Sequence, residues 1–232
     1  MKALFSFALC VMVCGTALAG EEGKEVGRLQ KSAEVIDEIM KTPDQGIPKD
    51  LLNKSVCVGV IPSEKKVALG FGGSYGRGCL VCRRGGTGAW GAPWMFIIGG
   101  PSVGFQIGGQ ATDFVLVVLN ASGAQKLVKG KTKLGADASV AGGPVGRTAE
   151  GSTGALMQTE ILTYSRSRGA FAGLSLEGQV IKDDTTGNEN LYGKKIEAKD
   201  ILFANTPTPN AADALAAVLT KHSPQGGEPF KK

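Results

Sequence analysis

The segment Tyr164–Arg168 carries the side chains best suited to binding a ligand. It places Arg166 and Arg168 among three hydroxyl groups, a combination that hydrogen-bonds phosphate. Two residues apart in an extended chain, the two arginines project from the same face. The same composition also fits a solvated strand end that binds nothing, so both interpretations stay open.

Residues suited to catalysis or metal binding are sparse. The only histidine is His222, next to the C-terminal tail, which disfavours catalytic triads and histidine-based metal sites. The sequence KGKT at 129–132 is similar to a phosphate loop, but Gln125 stands where that motif requires glycine. The glycine clusters lack the strand-to-helix context of a dinucleotide site. We therefore expect no enzyme, no cofactor and no metal.

The first nineteen residues have the layout of a secretory signal peptide. Lys2 precedes an apolar run, and Ala17-Leu18-Ala19 provides the small residues of a cleavage site. No other run reaches the roughly 18 apolar residues of a membrane span. We expect an exported protein, periplasmic or extracellular, that lies at the periphery of a membrane.

The composition is that of a folded protein, except that glycine is more frequent than usual. Hydrophobic residues make up 42% and charged residues 20%, whereas glycine, at 35 of 232, is about twice its usual share. Without Lys2 the chain has 25 basic and 21 acidic side chains, a net charge of +4 that is too weak to indicate nucleic acid. Bent strands and tight turns would account for the glycines.

Three cysteines follow the signal segment, an odd number for an oxidising compartment. Cys79 and Cys82 form a CxxC spacing among strand-like residues, where positions three apart lie about 10 Å from each other and face opposite ways. A single buried thiol, or a pair that uses Cys57, is favoured over a redox motif.

Helical periodicity is clearest near the two ends. The stripe within Lys24–Lys41 predicts an amphipathic helix. Its basic and acidic residues balance, so docking on the protein's own sheet is favoured over a membrane surface. A further turn at 48–52, one or two turns at 122–128 and a closing helix over Asn210–Thr220, capped by Asn210, are also expected.

Strand periodicity dominates the middle of the chain. From 170 to 180 the even positions, Leu174 among them, form one core face, and Gly169, Gly173 and Gly178 should bend the strand. Asp183–Asn190 reads as a polar loop. Other strands are expected at 56–61 and 67–71, joined as a hairpin through 63–66, and at 94–98, 103–107, 112–119, 134–140 and 157–163.

Several motifs in one order resemble the SYLF lipid-binding domain family. They are GGSYGRG at 72–78, WGAP at 90–93, GGPVGR at 142–147, YSRSRG at 164–169 and FAGLSLEG at 171–178. The resemblance runs from about Ala33 to Phe203. It implies an antiparallel, glycine-rich α+β fold and binding of lipid head groups. Eukaryotic relatives bind phosphoinositides and some bind actin.

These observations predict one α+β domain with a strongly bent antiparallel sheet, barrel- or sandwich-like, of eight or more strands between an N-terminal amphipathic helix and a short C-terminal helix. The expected boundaries are 1–19 for the signal peptide, 20–222 for the SYLF-like domain and 223–232 for a flexible tail. The expected function is non-catalytic binding of anionic phospholipid at a membrane surface outside the cytoplasm. The alternative is an envelope structural or stress-related protein that binds another protein. The candidate lipid-binding residues are Arg77, Arg83, Arg147, Arg166 and Arg168.

The signal peptide predicts the first residue of the exported protein. Cleavage after Ala19 gives a chain that begins at Gly20. Intact-mass measurement on protein from the extracytoplasmic fraction checks this, and a mass that retains residues 1–19 would remove the export assignment.

Overall fold

A computed structural model describes residues 19–42, 46–104, 110–145, 158–167, 170–173 and 175–230. These parts contain six α-helices: α1 Ala19–Lys41, α2 Lys49–Lys54, α3 Ala121–Leu127, α4 Thr185–Tyr192, α5 Ala198–Phe203 and α6 Asp213–His222. They also contain eight strands: β1 Cys57–Arg83, β2 Trp90–Gly104, β3 Gln110–Val118, β4 Lys131–Lys133, β5 Val140–Gly142, β6 Ile161–Ser167, β7 Ala170–Gly173 and β8 Val180–Asp183.

The strands form a single curled sheet that resembles half a barrel. Its order is β4-β8-β2-β1-β3-β6-β5, with β7 paired to β6. All these pairs are antiparallel except that of β5 with β6. The predicted α+β fold with a bent, largely antiparallel sheet and a helix near each end is confirmed.

The long strand β1 is folded back on itself. Its first arm, residues 57–66, pairs with β3, and its second arm, residues 70–83, pairs with β2. The amide of Arg83 donates to the Val56 carbonyl at 2.8 Å, so the two arms lie side by side. Because Lys66 still pairs with β3, the chain reverses after residue 66, later than the hairpin turn predicted at 63–66.

Each face of the sheet packs against its own helices, since side chains alternate between the two faces. On one face, α1 and α6 contribute Leu29 and Leu215 to an apolar cluster. On the other, α3 and α5 contribute Leu127 and Ile201. The N-terminal amphipathic helix therefore docks on the sheet, as its balanced charge predicts. None of the helices in the described ranges has both the length and the apolarity needed to cross a bilayer.

Two segments differ from their sequence predictions. The polar stretch 183–190 is the end of β8 followed by helix α4, whose N-terminus is capped by the Asp184 side chain at Gly187 N. The expected strand 134–140 is a turn between β4 and β5. Gly135 there has a φ of 86°, and the Asp137 carboxylate accepts a hydrogen bond from Lys133 N, so the alternating residues do not form a strand.

The stretch 170–180 is also interrupted. β7 ends at Gly173 and β8 begins at Val180, with a turn at Gly178, where φ is 86°. The predicted bending at glycine is seen there, but Ala172 is exposed, so the even positions do not share one core face. Leu174 lies outside the described residues, as do Arg147, Arg168, Phe105, Ile107 and residues 1–18 of the signal segment.

The C-terminal segment packs on the domain up to Phe230, whereas the sequence predicts a flexible tail. Ser223 is fully buried, Gly227 N donates to Asn53 O at 2.8 Å, and the Phe230 ring meets Phe203 edge-on at 4.9 Å. Asn210 lies in a 3-10 turn before α6 and makes no side-chain cap bond, so the predicted cap is wrong.

The cysteine pairing follows the fold-back of β1. Cys57 on the first arm and Cys82 on the second form a disulfide with a Cα–Cα distance of 3.9 Å. Cys79 is a buried free thiol whose Sγ lies 3.4 Å from Ser32 Oγ. Of the two interpretations that the sequence favours, the pair that uses Cys57 is found, and Cys79 is left as a buried thiol.

This arrangement predicts one disulfide-linked peptide and one unreactive thiol. Burial raises the pKa of Cys79 to about 11, so this thiol should resist alkylation at neutral pH until the protein is denatured. Non-reducing peptide mapping should join Cys57 to Cys82. A cross-linked peptide that contains Cys79, or rapid alkylation of the native protein, would contradict the assignment.

Candidate anion-binding site

A pocket of about 380 Å³ lies between the N-terminal half of α1 and the two arms of β1. Helix α1 contributes Lys24, Arg28 and Lys31 to its wall. These residues follow one another at spacings of four and three, which places them on one face of the helix. Three cations thus point into the same space.

The arms of β1 form the opposite wall. The first arm contributes Pro62 and Ser63, and the second contributes Tyr75, Gly76 and Arg77. Ser63 has a φ of 59° at the register shift between residues 61 and 64, so a β-bulge turns this part of the strand toward the pocket. The bulge is fixed because Ser63 N donates to Asp113 Oδ1 at 2.8 Å.

Two buried carboxylates hold the arginines in place. Arg28 Nη1 and Arg77 Nε lie 3.4 Å and 3.7 Å from Asp184 Oδ2, and Arg28 Nη2 lies 3.6 Å from Glu25 Oε1. The side chains of Asp184 and Glu25 are only 2% and 3% exposed. Both carboxylates therefore sit behind the cations.

The donors at the mouth of the pocket are left for a ligand. Arg77 Nε donates to the Tyr75 hydroxyl at 2.9 Å, and this hydrogen bond raises the pKa of Arg77 further above its ordinary value. Among the described side chains, no carboxylate pairs with Lys24, and no group bonds to the terminal nitrogens of Arg77. Four cations face the two buried carboxylates and the exposed Glu34, which pairs with Lys31 at 2.8 Å, so the pocket keeps a net positive charge.

This arrangement suits binding of an anion rather than a reaction. Guanidinium and ammonium groups around a small pocket, with a phenol hydroxyl beside them, hydrogen-bond phosphate oxygens. The pocket lining contains neither a histidine nor a carboxylate. Within the described residues, no group of three or more potential ligands could hold a metal ion.

Of the arginines predicted from sequence, Arg77 lies in the pocket and Arg83 does not. Arg83 is fully buried at the other end of β1's second arm. It donates to Ser55 O at 3.1 Å, to Gly88 O at 3.4 Å and to Ser223 Oγ at 2.6 Å. Its guanidinium also stacks 4.1 Å from the centroid of Trp90. Arg83 thus ties the C-terminal segment to the sheet.

Arg166 connects α1 to the sheet instead of lining the pocket. It donates to Asp113 Oδ2 from Nε at 2.8 Å and from Nη2 at 2.6 Å, and it pairs with Glu38 of α1. Glu160, the carboxylate that immediately precedes strand β6, binds Lys126 at 2.8 Å instead. Arg147 and Arg168 lie outside the described residues.

Sequence reasoning missed Lys24, Arg28 and Lys31 as site residues. Summed over helix α1, the basic and acidic residues cancel, so composition does not reveal these three cations. The missing signal was position, because these cations occupy one helical face while their acidic neighbour Glu25 is buried.

A family model described as "Ysc84: Las17-binding protein actin regulator" matches residues 99–222, more than half of the chain. The chain belongs to the Ysc84 family. This is the family of the SYLF domain, as the sequence motifs predicted.

Individual members of the Ysc84 family align over most of the chain. The SH3 domain-containing protein PJ696.02 of Schizosaccharomyces pombe is 39% identical over 163 residues, which cover 69% of this chain and 38% of that protein. LAS seventeen-binding protein 3 of Saccharomyces cerevisiae is 35% identical over 199 residues, 82% of this chain and 43% of that protein. The SH3 domain-containing YSC84-like protein 1 of Homo sapiens is 32% identical over 205 residues, 82% of this chain and 57% of that protein.

The chain therefore spans from about two fifths to just under three fifths of the length of these Ysc84 relatives. The family description names a binding protein and actin regulator, and LAS seventeen-binding protein 3 is named for binding. The Ysc84 family thus agrees with a site that binds without catalysis.

The contacts of Arg166 predict a structural effect of its removal. Arg166→Ala should lower the free energy of unfolding by about 1–3 kcal/mol, because the mostly buried Asp113 would lose two hydrogen bonds. Chemical denaturation measures this. Lys31→Ala is the control, since it removes an exposed ion pair with Glu34 and should change stability by less than about 1 kcal/mol. Unchanged stability of Arg166→Ala would show that its ion pairs do not hold α1 to the sheet.

Proposed function

We propose that this protein binds anionic lipid head groups, without catalysis, at a membrane surface outside the cytoplasm. The observation that carries the proposal is the convergence of Lys24, Arg28, Lys31 and Arg77 on one pocket. Cations placed at one point in space by a helix and a strand form a site that neither element forms alone.

The size and charge of the pocket favour a head group over a larger polyanion. Small-molecule pockets begin at about 300 Å³, and this one measures about 380 Å³. The net charge of the whole chain is only +5, which does not indicate a nucleic-acid surface. A phosphate on a lipid would meet the arginine and lysine donors, and the lipid tails would stay in the membrane.

A protein partner is the second candidate function. The family description names a Las17-binding protein and actin regulator, and one relative is named for binding LAS seventeen. Those words describe the relatives, and an exported chain would need a different partner. An envelope structural or stress-related role through protein contacts is therefore the alternative to lipid binding.

Salt separates the two candidates. Binding of phosphate through exposed lysine and arginine weakens as ionic strength rises, because salt screens the charges. A mainly apolar protein contact keeps its affinity under the same change.

Removing two pocket lysines should weaken lipid binding and leave the fold intact. Lys24→Gln with Lys31→Gln should reduce sedimentation with vesicles of phosphatidylcholine and phosphatidylglycerol about tenfold or more, since each cation near an anionic surface contributes about 1 kcal/mol. These two lysines are suitable because their side chains are exposed, unlike Arg28, which is held by buried carboxylates.

The matched control is Lys49→Gln with Lys199→Gln, which removes the same charge outside the pocket. Its vesicle binding should stay close to that of the unaltered protein. Equal loss in both variants, or binding of the unaltered protein that does not respond to salt, would contradict a head-group site in the pocket.

A further inference from the structure

A row of cations continues from the pocket across the sheet. Arg77 pairs with Ile97 of β2, Ile97 pairs with Lys182 of β8, and Lys182 pairs with Lys131 of β4. Directly opposite residues on neighbouring strands point to the same face of the sheet. Arg77 and Lys131 are thus on one face, three strand spacings or about 14 Å apart.

The neighbouring row adds an aromatic ring and another lysine. Tyr75 pairs with Gly99, Gly99 with Val180, and Val180 with Lys133. Tyr75 is 50% exposed, and among the side chains that the structure describes it is the only large hydrophobic one that is exposed. Together the two rows form a surface that we call the platform: Tyr75, Arg77, Ile97, Gly99, Val180, Lys182, Lys131 and Lys133.

The platform has an apolar middle and basic sides. Ile97 and Val180 are partly exposed in the centre. The pocket cations of α1 lie beside Arg77 on one side, and exposed lysines of β4 and β8 lie on the other. A surface with an apolar centre, an exposed tyrosine and flanking cations has the features of a membrane-interface contact.

Internal stability does not explain this distribution of charge. Lys131 stands directly opposite Lys182, and like charges in that position destabilise a sheet. Among the described side chains, no carboxylate forms an ion pair with either of them or with Lys133. The nearby Asp137 accepts a hydrogen bond from Lys133 N, a backbone group.

Lysines on an edge strand also prevent sheets from pairing with each other. That explanation covers Lys131 and Lys133, since β4 is the last strand of the sheet. It does not cover Lys182, which is on the second strand, or the exposed Tyr75. An external anionic surface accounts for all of them.

We propose that the platform faces and contacts an anionic bilayer, with Tyr75 at the interface and the lysines of β4 and β8 as a second basic contact beside the pocket. This inference rests on the proposed head-group binding and adds the surface that meets the membrane. A soluble phosphate compound would occupy the pocket alone, because the lysines of β4 lie about three strand spacings away. The platform therefore predicts a difference between a bilayer and a soluble anion.

The first experiment removes the second basic contact. The variant Lys131→Gln, Lys133→Gln, Lys182→Gln should bind vesicles of phosphatidylcholine and phosphatidylglycerol about tenfold or more weakly. Its affinity for soluble inositol hexakisphosphate, measured by calorimetry, should stay within about twofold of the unaltered protein, because the pocket is intact. The control Lys49→Gln, Lys54→Gln, Lys199→Gln removes the same charge away from the platform and should bind vesicles nearly normally.

The outcomes distinguish this inference from the proposed function. If the platform variant binds vesicles as well as the control while Lys24→Gln with Lys31→Gln binds poorly, the platform is overturned and the pocket stands. If the control falls as far as the platform variant, net charge alone drives binding and the platform is overturned. If the unaltered protein binds neither vesicles nor inositol hexakisphosphate, both proposals fail.

The second experiment places a fluorescent reporter on the platform. In the Tyr75→Trp variant the introduced indole is exposed, whereas Trp90 and Trp94 are 5% and 1% exposed. Anionic vesicles whose acyl chains carry bromine near the head group should quench and blue-shift its emission. An indole that stays unquenched while the protein sediments with the vesicles would show that another surface meets the membrane.

Discussion

The basic pocket depends on one buried carboxylate, that of Asp184. It attracts Arg28 of α1 and Arg77 of β1, and it caps α4 by accepting a hydrogen bond from Gly187 N at 3.2 Å. Its own amide donates to Met95 O of β2 at 3.1 Å. A buried charge is costly unless it is paired and hydrogen-bonded, so these elements must come together for Asp184 to remain inside. Because Asp184 needs both partners, the guanidinium groups of Arg28 and Arg77 lie side by side. Without the carboxylate, their mutual repulsion would oppose this position.

The folded-back strand β1 gives the pocket a rigid wall. Its arms approach closely on the face opposite α1, where a Cβ on Gly78 would lie 2.5 Å from Val60 O. A Cβ on Gly59 would lie 2.9 Å from Leu116 Cδ1 of the neighbouring strand β3. Glycine is therefore required at position 78, where the obstacle is backbone, and this explains part of the unusual glycine content. The Cys57–Cys82 disulfide joins the arms at one end, and the pocket lies toward the other. The disulfide and the close contact between the arms limit how far one arm can slide along the other. The bulge at Ser63 therefore keeps its position beside the second arm.

Local patterns predicted the elements whose stability is local. Helix α1 is visible in the sequence as an apolar stripe because it buries one face. Strand β3 is visible as a continuous apolar run because it is buried on both faces. Helix α4 was predicted as a polar loop because it begins Thr-Thr-Gly-Asn, all weak helix formers. It is held by Asp184 and by Asn188, whose side-chain amide bonds both the N–H and the C=O of Met95. Such contacts join residues 93 positions apart, and no window of sequence contains them.

The arginines show why the site was harder to predict than the fold. Arg77, Arg83 and Arg166 all lie on strands of the sheet, and the sequence alone does not show which of them binds a ligand. Their environments separate them. Arg83 is buried among neutral acceptors and Arg166 is paired with carboxylates, whereas Arg77 keeps two terminal nitrogens without a described partner. A side chain can bind a ligand only through the donors that its internal hydrogen bonds leave free. The tertiary structure determines which donors those are. For the same reason the helix cations, which appear balanced along the sequence, become the main part of the site once Glu25 is buried beneath them.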